Sequence, residues 1–126
     1  MKEFFRGPMP FLCIGHSFDH MLILLFAAII AFPQLPAEFG LDFPELTGLA
    51  WLGFILFGAG APIAGWMADK WSAVGTMTVF FVGIGASCVL AGLASSPWEM
   101  LVALSLIGLF ASIYHPVGIP MVIRAG

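Results

Sequence analysis

Charge is what this sequence has least of. Only 9% of its 126 residues are Asp, Glu, Lys or Arg, and only four of them are basic. A soluble domain carries about a quarter charged residues, so water cannot solvate this surface all round. The four cations form no patch, and nucleic acid is excluded as a partner. Cysteine is nearly missing as well. Cys13 and Cys88 both fall in apolar stretches, with neither a disulfide framework nor paired metal-site spacing. They read as small buried hydrophobes. Missing too is the period-two alternation of a membrane barrel strand. Nothing resembles a nucleophile–base pair, a phosphate loop or a complete metal site, so no enzyme is expected and no cofactor is implied.

What the chain has in abundance is apolar length. Apolar residues make up 61% of it. Crossing a bilayer as a helix takes about 20 residues, and four segments are long enough. They run from about Phe11 to Phe32, Leu46 to Trp66, Val74 to Ala94 and Trp98 to Ile123. Pro33-Gln34-Leu35-Pro36, Asp42-Phe43-Pro44-Glu45 and Ser95-Ser96-Pro97 punctuate the gaps with helix stops and turn formers. The expected fold is an all-α membrane protein, a single four-helix unit over residues 1–126. The first span is no signal peptide: its apolar run is too long, carries His16, Asp19 and His20, and lacks a small-x-small cleavage site.

Orientation follows from the cations. Lys2 and Arg6 precede the first span, Lys70 lies between the second and third, and Arg124 follows the fourth. The other two gaps hold Glu38, Asp42, Glu45 and Glu99 but no cation. The positive-inside rule therefore puts both termini in the cytoplasm.

The second span is rich in small residues, among them Gly53, Gly58, Gly60, Ala61, Ala64 and Gly65. Gly60 with Ala64, and Ala61 with Gly65, are small-xxx-small pairs that let helices meet backbone to backbone. Pro62 removes one helical hydrogen bond and can kink the span. Plain helix packing explains these residues; a sliding interface between two halves is the sharper reading.

Chemistry concentrates in the first and fourth spans. His16, Asp19 and His20 are spaced i, i+3, i+4, on one face of a helix. Asp19 follows Arg6 by about 13 residues, so it lies roughly 20 Å further along the axis, inside the hydrocarbon zone. A charge there costs about 2.5–3.5 kcal/mol even on the lenient insertion scale, which makes it a functional candidate. The plainer alternative is a packing aspartate satisfied by its histidines. The fourth span ends Ile113-Tyr114-His115-Pro116-Val117-Gly118-Ile119-Pro120. His115 lies nine residues before Arg124, roughly 13 Å inside the same edge and at a depth similar to His16 and His20. Pro116 and Pro120 leave carbonyls in need of partners, as helices lining a cavity do. Whether His115 lines that cavity or is a hydrogen-bonded core residue stays open here.

The i, i+4 histidine pair has a workable ligand spacing, and Asp19 could be a third ligand or an outer partner. No further His, Cys or acidic cluster lies at that depth on other spans. A proton or substrate pathway built from titratable groups is the better reading of the quartet, and no dedicated metal site is expected.

Gly65-Trp66-Met67-Ala68-Asp69-Lys70-Trp71-Ser72 closes the second span. It resembles the loop 2–3 signature of the major facilitator superfamily, Gly-x-x-x-Asp-(Arg/Lys)-x-Gly-(Arg/Lys)-(Arg/Lys). Gly65, Asp69 and Lys70 fit; Ser72 replaces the second glycine, and Ala73 and Val74 replace basic residues. Tyr114-His115-Pro116-Val117-Gly118 resembles the end of helix 4 in a fosmidomycin-resistance-like bacterial branch of that superfamily. In that branch helices 1 and 4 face the central cavity.

The resemblance implies the N-terminal part of a secondary active, proton-coupled transporter of small organic solutes working by alternating access. It sets Asp19, His16, His20, His115 and Tyr114 in the proton and substrate cavity, and Gly65, Asp69 and Lys70 in the conformational loop. The implied setting is the bacterial cytoplasmic (inner) membrane. Its partners there are lipid, substrate, protons and the remaining helices or another membrane subunit. The family has twelve helices in two halves of six, and this chain covers four. A non-transporting scaffold or assembly subunit with the same ancestry is the alternative; the buried aspartate favours transport, the length the scaffold.

Overall fold

A computed structural model describes residues 7–125, all of whose regular elements are helices. They are α1 (Met9–Ile30), α2 (Gln34–Phe39), α3 (Phe43–Gly48), α4 (Trp51–Lys70), α5 (Ala73–Leu93), α6 (Pro97–Ala111) and α7 (Tyr114–Ala125). Four stretches are long and apolar enough to cross a bilayer: Met9–Ile30, Phe43–Lys70, Ala73–Leu93 and Pro97–Arg124. The second is α3 followed by α4, and the fourth is α6 followed by α7. The molecule is an all-helical, multi-pass membrane protein. Of the four cations, Lys2 and Arg6 lie outside the described residues. Lys70 and Arg124 sit in the last turns of α4 and α7.

Helix starts are written in short polar signals. At α3, Asp42 accepts from the Glu45 backbone N–H (2.8 Å) while the Glu45 carboxylate accepts from the Asp42 N–H (2.9 Å), a complete capping box. Ser72 caps α5 by accepting from the Gly75 N–H at 3.1 Å. Ser96 does the same for α6 through the Glu99 N–H at 3.3 Å. Each satisfies one of the amides that a helix start leaves without a partner.

The segment around Pro33 and Pro36 forms the short helix α2 rather than a simple turn. Pro36 falls in its first turn, where an N–H would have no helical partner, so proline costs nothing there. The helix stops at Gly40, whose φ of 64° is left-handed. Cys13 is also not the buried residue its surroundings suggested; it is exposed. The packed face of α1 passes through Leu12, Gly15 and Asp19, and one residue's rotation carries Cys13 off it. α4 runs on through Pro62 without interruption.

The outside is greasy. Phe11, Leu24, Val82, Val89 and Leu93 are all exposed, as side chains facing acyl chains should be. All four tryptophans are exposed at helix ends: Trp51 and Trp98 open α4 and α6, while Trp66 and Trp71 lie at the far end of α4. Along α4, Trp51 and Trp66 are roughly 22 Å apart. That spacing suits two interfacial aromatic belts.

α6 packs most extensively against α4 and α5. The α4–α6 crossing is set by two glycines. A Cβ on Gly53 would lie 2.7 Å from the Leu104 carbonyl oxygen, and one on Gly108 would overlap the Gly53 backbone. Gly60 likewise abuts Ser112, and Gly83 abuts the Phe110 ring. Below this seam Leu12, Ala64, Met77, Phe80, Ile84, Ala111, Tyr114 and Val117 form the apolar core. Lipid is as apolar as this core, so close backbone approach and its dispersion contacts hold the crossing.

Adding one methyl at the seam should therefore separate α4 from α6. Gly108→Ala is expected to destabilise the protein in detergent by about 1–3 kcal/mol. Gly85→Ala, where the new methyl meets open space, should be neutral or slightly stabilising. Equal melting temperatures for the two variants would show that the seam carries no packing energy.

Candidate functional site

Proline chemistry breaks the fourth span at its functional end. Pro116 has no N–H to give the carbonyl of Ser112, and its ring crowds that carbonyl. α6 accordingly ends at Ala111, and α7 starts at Tyr114. The two intervening residues turn back on α6: the Ser112 N–H donates to Gly108 O and the Ile113 N–H to Phe110 O, each at 3.1 Å. The Ser112 hydroxyl donates to Leu109 O at 2.6 Å. The break presents Tyr114 and His115 to α1.

Two contacts draw α1 onto this break. Gly15 has no side chain, and a Cβ there would lie 3.0 Å from the Phe81 ring and 3.1 Å from Tyr114. One turn earlier, the buried Tyr114 hydroxyl donates to the Leu12 carbonyl oxygen at 2.6 Å. The same face of α1 then carries Asp19 to α7. His115 Nε2 lies 3.2 Å from Asp19 Oδ2, an ion pair whenever the imidazole is protonated.

The carboxylate is unusually isolated. Asp19 is 0% exposed, whereas the His115 side chain is 37% exposed. Although the 3.2 Å approach is short, no donor among the described residues meets hydrogen-bond geometry at either Asp19 oxygen. Hydrogen bonds elsewhere in the interior are made: Ser87 donates to Gly83 O at 2.7 Å and Ser105 to Leu101 O at 2.6 Å. Among the described residues Asp19 is the exception, and a buried carboxylate left without a hydrogen bond calls for an explanation.

His16 and His20 complete the cluster from the exposed side of α1. Ring centroids are 4.5 Å apart for His16 and His20, 5.8 Å for His16 and His115, and 5.7 Å for His20 and His115. Tyr114 stands 5.2 Å from His16 and 5.8 Å from His115. Asp19, His16, His20, His115 and Tyr114 are therefore one constellation built from two helices. Phe57 of α4, which sequence reasoning did not single out, adds a wall, its ring 6.1 Å from His115. Phe57 and Leu22 also line an adjoining apolar slot of about 160 Å³ between α1, α4 and α6. Small residues around an aromatic at a helical repeat were the only signal that could have found it.

Gly65, Asp69 and Lys70 belong to a different place. Asp69 and Lys70 are exposed at the end of α4, outside the polar cluster. Gly65 reaches toward the cluster's base, where its Cβ would rest 3.7 Å from Pro116. Ser72, at the position of the signature's second glycine, is the cap of α5 described above.

A polar cluster between helices long and apolar enough to cross a bilayer describes a multi-pass membrane protein. The chain belongs to the Major Facilitator Superfamily, whose family model matches residues 12–125. No curated protein and no solved structure matches it. Members of this superfamily are transporters.

The Tyr114–Leu12 hydrogen bond ties α7 to α1 alongside the His115–Asp19 approach, and removing it should loosen the site without emptying it. Tyr114→Phe is expected to lower stability by about 1 kcal/mol, read as a reduced melting temperature in detergent. An unchanged midpoint would mean that Gly15 packing alone holds α1 in place.

Proposed function

We propose that this chain forms the N-terminal four membrane spans of a proton-coupled secondary transporter of small organic solutes. Its place is the bacterial cytoplasmic membrane, in the fosmidomycin-resistance-like branch that Tyr114-His115-Pro116-Val117-Gly118 resembles. The observation that carries this reading is Asp19: fully buried, deep in a span, and 3.2 Å from an imidazole on a broken helix.

The proposed cycle uses that isolation. A proton on Asp19 neutralises a charge that burial makes costly. When the cavity opens to the other side, water reaches the carboxylate and the proton leaves. His115 meets the ionised form, while His16 and His20 line the exposed path along α1. Substrate would lie against the polar cluster with an apolar part along the Phe57 slot. The turn at Ser112-Ile113 gives α7 freedom to shift while the glycine seam of α6 stays fixed.

Asp19→Asn imitates the protonated carboxyl and keeps its shape. In proteoliposomes holding the full-length transporter, it should abolish pH-gradient-driven flux, a fall of tenfold or more. Substrate exchange without a gradient, which needs no net proton movement, should survive. Driven flux equal to wild type would leave Asp19 a packing residue and end the coupling proposal.

The same reading sets the orientation. Lys70 and Arg124 face the cytoplasm, and the segment with Glu38, Asp42 and Glu45 faces outside, following the positive-inside rule. In a Cys13- and Cys88-free background, an impermeant thiol reagent applied to cells should label a cysteine at position 42 and spare one at position 70. The reverse pattern overturns the topology.

A further inference from the structure

We propose that Asp19, His20 and His115 bind a divalent first-row transition-metal ion, Zn²⁺ or its neighbours Co²⁺ and Ni²⁺. One ligand atom from each of Asp19, His20 and His115 lies within 4.8 Å of the other two. The sequence offered a histidine pair and an aspartate on α1 but no donor known to face them. The break at Pro116 supplies one by bringing His115 across from α7.

The distances suit one ion. Tetrahedral zinc with bonds of about 2.0–2.1 Å sets neighbouring donor atoms about 3.3 Å apart. His115 Nε2 and Asp19 Oδ2, at 3.2 Å, already stand at that separation. Two imidazoles on the same ion have ring centres about 5 Å apart by the same geometry. The three histidine centroid separations of 4.5, 5.7 and 5.8 Å bracket that value. His20 is exposed, so its ring can rotate the remaining distance without repacking the core.

A second observation points to the same ligand. Both Asp19 oxygens are buried without a hydrogen-bond donor among the described residues. A buried carboxylate in that state can be neutralised by a proton or paired with a cation, and of the described cations Lys70 and Arg124 each stand in the last turn of their helix. Imidazole nitrogens select the kind of cation. Ca²⁺ and Mg²⁺ prefer oxygen donors, whereas Zn²⁺, Ni²⁺ and Co²⁺ accept mixed nitrogen and oxygen sets. Asp19, His20 and His115 offer three donors, and the exposed side toward His16 and His20 leaves an entry path.

Binding is read without any gradient, which separates this inference from the transport reading. The full-length protein, purified in detergent with its affinity tag removed, is titrated with Zn²⁺ by calorimetry and with Co²⁺ by visible absorption. One ion per chain should bind, and Co²⁺ should show the intense ligand-field bands of a low-coordinate site. Asp19→Asn, His115→Gln and His20→Gln should each weaken binding by about a hundredfold, the upper end of what even outer partners of a metal cost when lost. Glu99→Gln, at the far end of the fourth span, should bind as wild type. His20 is exposed, so its variant keeps the fold even if a buried substitution does not. No saturable binding, or binding unchanged in His20→Gln and Asp19→Asn, overturns the site. Gradient-driven flux that persists in chelator while no metal binds would reject the metal site and leave the transport reading standing. Metal binding in a protein without driven flux does the reverse.

Discussion

A carboxylate placed in a membrane interior constrains everything around it. An ionised side chain there costs about 2.5–3.5 kcal/mol even by the most lenient measure, and nothing on α1 itself satisfies Asp19. The cost is tolerable only if α1 lies close enough to another helix for a polar group to reach across. Gly15 permits that approach, where any Cβ would press on Phe81 and Tyr114. The Tyr114 hydroxyl fixes its register by bonding the Leu12 carbonyl. His115, the next residue along, then arrives beside Asp19. The glycine and the tyrosine together bring the histidine within 3.2 Å of the carboxylate.

The same constraint gives the break in the fourth span its place, at the residues that face α1, whereas α4 runs on through Pro62. A straight α6–α7 helix would carry residues 114 and 115 further around its axis, 100° per residue. Pro116 interrupts the ladder, and the turn at Ser112-Ile113 lets Tyr114 and His115 face α1 together. The break needs a rigid platform. It has one in α6, locked to α4 by Gly53 and Gly108 and to α5 by Gly83 against Phe110. Buried hydroxyls at Ser87 and Ser105 bond carbonyls of their own helices, so the platform carries no further polar debt.

Much of this was legible in the residues, and the limits have physical causes. Hydropathy alone separates a helical membrane protein from any soluble class, because 61% apolar and 9% charged residues leave nothing else possible. Helical periodicity put His16, Asp19 and His20 on one face, since i, i+3 and i+4 are fixed by 3.6 residues per turn. Rotation between helices is another matter. Whether His115 faced α1 or packed in a core depended on how Pro116 broke the span, which no local spacing states. Cys13 was misread as buried for a related reason: every position in an apolar span is equally greasy, and only contacts say which face meets protein and which meets lipid. The α2 helix escaped notice because prolines at 33 and 36 read as stops, although a helix's first turn admits them.

Histidine, rather than arginine or lysine, faces the aspartate, and that choice bears on what the site can do. Arg and Lys would remain charged throughout, and a fixed cation 3.2 Å away would hold the carboxylate ionised in every conformation. Such a pair is a strut. An imidazole carries both a donor and an acceptor nitrogen when neutral, so its contact with the carboxylate is not confined to a fixed charge pair. Three imidazoles gather on the side from which this carboxylate is approached. The half-exposed position of His115 beside a wholly buried Asp19 adds direction: a visitor meets the histidines first and the aspartate last. A buried carboxylate reached through imidazoles from the exposed face of α1 is the arrangement on which the transport proposal rests.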